Sequence, residues 1–125
     1  MNKELFEKGL QVRRAVVGDA YVDASLKNAD DFSMPMQELV TEFCWGEVWT
    51  RPGLDRRSRS ILNLGMIAAL NRPEELATHV RGAINNGVTK DEIKECFLQV
   101  AVYVGMPAGL GCFKIARQVF KEMGI

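Results

Sequence analysis

The sequence predicts an all-α domain of about six helices. Three observations carry this. Apolar residues recur at spacings of three and four in one segment after another, which is helical periodicity. No segment alternates apolar and polar residues as a half-buried strand does, and there is no repeat or low-complexity stretch. Capping residues, glycines and prolines punctuate the chain at helix-length intervals. A chain of 125 residues fits a single domain, 1–125, able to bury roughly two-thirds of its unfolded surface.

Leu5, Phe6, Leu10 and Val17 define an N-terminal helix that ends near Gly18. From Asp19 to Asp31 the periodicity weakens, as in a short helix followed by a loop. Ser33 is placed to cap the next helix, whose Met36, Leu39, Val40 and Phe43 read as its buried face. That stripe continues to Glu47, where a carboxylate in register with a core demands a partner or a raised pKa. Arg51-Pro52-Gly53 is a loop by composition. Asp55 caps a segment with Ile61, Leu62, Leu64 and the run Met66 to Leu70, apolar nearly all round. Full burial of such a helix in so short a chain calls for a neighbouring subunit.

The next helix spans Asn71 to Gly87. Pro73 suits its first turn and Gly87 its stop. Leu76, Val80, Ala83 and Ile84 make its apolar stripe, and His79, the chain's single histidine, sits on the edge of it. Thr89 and Glu92 form a capping box ahead of Ile93, Cys96, Phe97, Val100, Ala101 and Val104. Gly105-Met106-Pro107 breaks the chain before a last helix bearing Leu110, Phe113, Ala116 and Phe120.

Composition excludes several functions. Sixteen basic and sixteen acidic side chains balance, so no nucleic-acid surface is expected. No apolar run reaches the roughly 18 residues of a membrane span, and the charged start MNKELFEKG is unlike a signal peptide. Cys44, Cys96 and Cys112 are widely separated, without a CxxC. This points away from a disulfide scaffold or zinc site and towards a reducing, cytoplasmic setting. One histidine and scattered cysteines make a transition-metal site unexpected.

The residues able to do chemistry are Glu47, Arg51, His79, Arg81 and the pair Glu74 and Glu75. WGEVWTRPGL is the densest segment: Trp45 and Trp49 are suited either to wall a pocket or to anchor an interface, and Arg51 to grip a carboxylate in a bidentate contact, unless it is a solvated loop arginine. Glu74 and Glu75 suit the dipole of a helix's first turn. His79 reads either as a core-edge histidine with an ordinary hydrogen bond or as a side chain reaching a pocket. Cys96 lies in a core stripe, and Cys112 reads as core packing rather than as a thiol activated near a helix start.

The stretch WGEVWTRPGLDRRSRSILNLGMIAALNRPEELATHVRGAINNGVTKDEI resembles the signature block of the carboxymuconolactone decarboxylase family. The likeness continues through FLQVAVYVGMPAG and back through RRAVVGDAYVDASL and QELVTE, almost the whole chain. The wider superfamily resembled is that of the alkylhydroperoxidase D proteins, all-α and usually trimeric or hexameric. In its peroxidase branch the second cysteine of a CxxC lies four residues before a histidine. Aligned on His79, those positions are Arg72 and Glu75, so disulfide-based peroxide reduction is not expected. One departure is Val104, where the decarboxylase pattern often has cysteine. The resemblance implies loss of CO2 from a carboxylated muconolactone to give an enol-lactone of the β-ketoadipate route, without a cofactor. For that reaction His79 and Glu47 suit the catalytic pair and Arg51, Arg81, Trp45 and Trp49 the substrate-binding residues, in a cytoplasmic homo-oligomer; the alternatives are a peroxidase of the same fold and a decarboxylase acting on another lactone.

Overall fold

In the computed structural model, which describes residues 1–125, every regular element is helical. The order is α1 (Lys3–Val17), α2 (Asp19–Lys27), α3 (Met34–Leu39), a π-helical segment (Val40–Val48), α4 (Arg56–Leu70), α5 (Pro73–Asn85), α6 (Lys90–Tyr103) and α7 (Met106–Met123). Most of the expected punctuation holds. Gly18 ends α1 at φ 94° and Gly87 follows α5 at φ 86°, left-handed values that suit glycine. The Asp55 carboxylate accepts from Ser58 N at 2.7 Å. Thr89 and Glu92 complete a capping box, with bonds of 3.0 and 3.1 Å. Ser33 is the exception. Its hydroxyl and amide are bound to Asp30 in a local turn and cap nothing, because a side-chain bond three residues back competes with the cap.

The chain divides into two compact units, Met1–Leu54 and Asp55–Ile125. Each has its own core. In the second, Leu64, Ala68, Leu76, Val80, Ala83, Ile93, Phe97, Cys112, Ala116 and Val119 interlock between α4, α5, α6 and α7. The last helix thus turns in Cys112, Ala116 and Val119, while Leu110 is exposed. Along α4, Leu64 and Ala68 are buried, whereas Leu62, Met66 and Leu70 form a solvent-facing stripe at i, i+4, i+8.

The first unit corrects one expectation. Met36, Leu39 and Phe43, read as a buried face, are about 60% exposed. The inward face is Thr41, Trp45, Gly46 and Trp49. Two stripes compete here, and the tryptophans win because each carries far more apolar area than a methionine or leucine. Gly46 assists: a Cβ there would stand 2.7 Å from Leu5 O, so only glycine lets α1 approach this closely.

The π turn has identifiable supports. Its widened pitch carries Trp49 N to Cys44 O, an i→i+5 bond of 3.0 Å. The Trp45 and Trp49 rings stack with centroids 4.8 Å apart. From α1, the Arg13 guanidinium, only 4% exposed, donates to Gln37 Oε1 at 3.0 Å and Thr41 Oγ1 at 3.1 Å. Burial lowers the Arg13 pKa, with Tyr21 and Cys44 acting against that.

Candidate active site

In the second unit the chemistry gathers where α4 meets α5. Proline in the first turn starts α5, and Leu76, Val80 and Ala83 pin one face of it into the core. His79 follows Leu76 by three and precedes Val80, so its ring lies at the margin of that face, half-buried. Asn63 of α4 meets it there, with Asn63 Nδ2 3.5 Å from His79 Nδ1. Burial pushes the His79 pKa below its ordinary value, and the Glu75 carboxylate one turn earlier pulls it partly back. The imidazole is therefore neutral at pH 7.

In the first unit Glu47 and Arg51 lie at the exposed end of the π segment and the turn after it. Arg51 N donates to Val48 O at 3.1 Å, which fixes that turn. Glu47 stands in register with Met36, Leu39 and Phe43 as the sequence indicated, but on the exposed face, where water solvates its charge.

Three expected site residues sit differently from their sequence reading. Trp45 and Trp49, each 5% exposed, are stacked inside the core of the first unit and supply no accessible wall. They pack the segment that bears Glu47 and Arg51 against α1. Arg81 follows His79 by two residues, about 200° around the helix. It points away from the imidazole and pairs with Glu122 of α7 at 2.8 Å, an exposed contact; hydrogen bonds from Gln118 and then Arg81 keep the Glu122 carboxyl below its usual range.

The thiols are not poised for nucleophilic work. Burial raises the pKa of Cys44, Cys96 and Cys112, and a thiol rather than a thiolate predominates at neutral pH. No group of three or more His, Cys, Asp or Glu side chains is arranged to hold a metal ion, and no helix is long and apolar enough to cross a membrane. A separate cavity of about 300 Å³ opens between α4 and α6, lined by Ile61, Gly65, Cys96, Gln99, Val100 and Tyr103. It lies on the other side of α4 from Asn63, since Ile61 and Gly65 are each two residues away from it. Sequence reasoning missed Asn63. The available signal was one amide inside the apolar run from Ile61 to Leu70.

Comparison with known proteins agrees with the residues that first suggested a family. The carboxymuconolactone decarboxylase family profile matches residues 35–118. The chain belongs to that family. Its all-helical architecture fits the alkylhydroperoxidase D-like fold. Among similar proteins, a 4-carboxymuconolactone decarboxylase of Acinetobacter baylyi is 44% identical over 124 residues, 99% of this chain and 92% of that one. The nitrosuccinic acid decarboxylase npaB of Metarhizium robertsii is 46% identical over 123 residues, 98% of this chain and 86% of that one. A 4-carboxymuconolactone decarboxylase of Pseudomonas putida is 44% identical over 45 residues, 36% of this chain and 94% of that one.

Proposed function

We propose that this family member is a cofactor-independent carboxy-lyase that converts 4-carboxymuconolactone to the β-ketoadipate enol-lactone in aromatic breakdown. The observation that carries the reading is the 44% identity to a decarboxylase of that name over nearly both chains. The chemistry fits the side chains present. When the bond to the leaving carboxylate breaks, its electron pair passes through the ring alkene to the lactone carbonyl oxygen, and CO2 departs. A proton then adds to the carbon next to that carbonyl. The substrate is its own electron sink, so the protein has to bind anions, stabilise an oxyanion and return a proton.

A neutral imidazole is a poor acid but a good hydrogen-bond donor. We therefore assign His79 to the developing oxyanion and Glu47 to relaying a solvent proton to the carbon. Arg51 anchors a carboxylate of the substrate by its fork of donors. Arg81, engaged with Glu122 and turned from His79, is not assigned to the substrate.

The second relative deepens this reading. In nitrosuccinate, as in 4-carboxymuconolactone, the carbon that loses CO2 also bears a CH2–COO⁻ arm and an electron sink. In one the sink is a nitro group, which leaves a nitronate, and in the other an unsaturated lactone. The arm is retained in both reactions, and it is the carboxylate we assign to Arg51. A decarboxylase acting on nitrosuccinate is the second reading, supported by the 46% identity.

The test supplies each acid to the purified protein and follows CO2 with the enol-lactone or the nitro product. Faster turnover of the lactone supports the first reading and faster turnover of nitrosuccinate the second. No CO2 from either overturns both. We further propose a homo-oligomer, trimeric or hexameric, in the cytoplasm, a setting that suits three free cysteines.

A further inference from the structure

We propose that Asn63 is a positioning residue that fixes the His79 ring as the Nε2–H tautomer. The inference rests on the reading of His79 as the oxyanion's hydrogen-bond donor. Asn63 is an odd choice for its place. Asparagine lowers helix propensity because its amide competes with the backbone, and here it interrupts an apolar run between Leu62 and Leu64. Its backbone is in mid-helix, and its side chain is half-buried against α5 rather than in solvent. Its Nδ2 stands 3.5 Å from the ring's Nδ1.

An amide nitrogen only donates. Nδ1 must therefore accept, and the single proton of the neutral ring is on Nε2. That proton is the one a developing oxyanion uses. If Nδ1 carried it, the lone pair of Nε2 would face the same negative charge and repel it. Burial favours the neutral ring, so a tautomer rather than a charge is what the neighbour decides. The Glu75 carboxylate, one turn back on α5, acts on the charge of the ring, whereas the Asn63 amide meets Nδ1 itself.

His79 is the only histidine, so uniform 15N-histidine labelling reports this ring alone. The expected spectrum at pH 8 has a pyridine-like Nδ1 and a pyrrole-like Nε2. Asn63→Leu removes the donor and should produce a mixture of tautomers. Asn63→Asp reverses the polarity: its carboxylate accepts from Nδ1–H, so the tautomer should switch and the ring pKa should rise. On 4-carboxymuconolactone, each variant should lose at least about tenfold in kcat, as loss of an imidazole-orienting partner does, with KM little changed. A merely structural Asn63 would lower thermal stability without moving the 15N shifts of the folded protein. If Asn63→Leu does not fold, the parent and Asn63→Asp spectra still decide. An Nδ1–H tautomer in the parent, or ring shifts unchanged in the folded variants, overturns the proposal. A parent that shows the Nε2–H tautomer but decarboxylates nothing defeats the functional reading instead, and leaves the positioning role standing.

Discussion

The closest approach in the first unit is Gly9 against the π segment, and it gives the sharpest stability prediction. A Cβ at Gly9 would overlap the Thr41 carbonyl oxygen and stand 2.9 Å from Gly46 N. Both obstacles are backbone, so no rotamer change relieves them, and α1 must move away from the π segment. Replacing glycine by alanine inside a helix stabilises by about 1 kcal/mol from propensity alone. Overpacking of a closed contact costs typically about 1–3 kcal/mol, and more where backbone has to shift. Separation also stretches the bonds from buried Arg13 to Gln37 and Thr41. Gly9→Ala is therefore expected to lose about 2 kcal/mol net, a fall in Tm of roughly 6–10 °C for a chain of this size. Gly111→Ala is the control. It lies within α7 at an ordinary φ, and a Cβ there meets nothing within 4 Å. It should raise Tm by a few degrees, through propensity of about 1 kcal/mol. Thermal unfolding by circular dichroism at one protein concentration compares all three. A Gly9→Ala protein that melts at or above the parent refutes the reasoning.

Other outcomes follow from the same geometry. The folded-state pKa of His79 lies below its unfolded value, so the unfolded chain binds more protons between the two. The stability this group contributes is full above pH 6.5 and is lost as pH falls towards the folded pKa. Denaturant titrations at pH 7 and pH 5 should show that loss, and His79→Gln should reduce it. If His79 and Glu47 serve one reaction step, each glutamine variant should lose about a hundredfold in rate. The double variant should then be little worse than the worse single one, whereas multiplying losses in steady-state kinetics would separate their roles. Decarboxylation should survive exhaustive chelation, and activity restored only by added zinc or manganese would contradict the cofactor-free assignment.

How much was legible depended on how local the determining interaction is. The caps at Asp55 and Thr89 and the stops at Gly18 and Gly87 were readable because they involve residues at most four apart. Ser33 was misread because Asp30, three residues back, binds the same groups. The stripe from Met36 to Glu47 has correct register and the wrong direction. Periodicity identifies a face, but what the face meets depends on tryptophan bulk and on the Gly9 and Gly46 approaches, which are long-range. His79 was identifiable as an edge position from α5 alone. Its partner was not, because Asn63 lies sixteen residues away on another helix. Arg81 could have been set apart from the sequence, since residues i and i+2 on a helix do not face each other.

The two exposed apolar stripes lead to a prediction about assembly and activity together. Met36, Leu39 and Phe43 in the first unit and Leu62, Met66 and Leu70 in the second are each roughly half to two-thirds exposed. Contiguous apolar faces of this kind on a small chain are stable in water when another surface covers them. Glu47 lies on the first stripe, so whatever covers Phe43 also removes water from around that carboxylate. Exclusion of water strengthens every electrostatic interaction an anionic substrate makes. Association should therefore raise activity as well as stability. Sedimentation velocity is expected to show a trimer or hexamer at micromolar concentration. Met66→Glu and Phe43→Glu, which place charges on the two stripes, should shift the protein towards monomer and lower decarboxylation per mass of folded protein. A monomer at micromolar concentration with full specific activity would show that these faces serve neither purpose. Dissociation by Met66→Glu with activity retained would separate the α4 stripe from the chemistry and leave only the Glu47 stripe coupled to it.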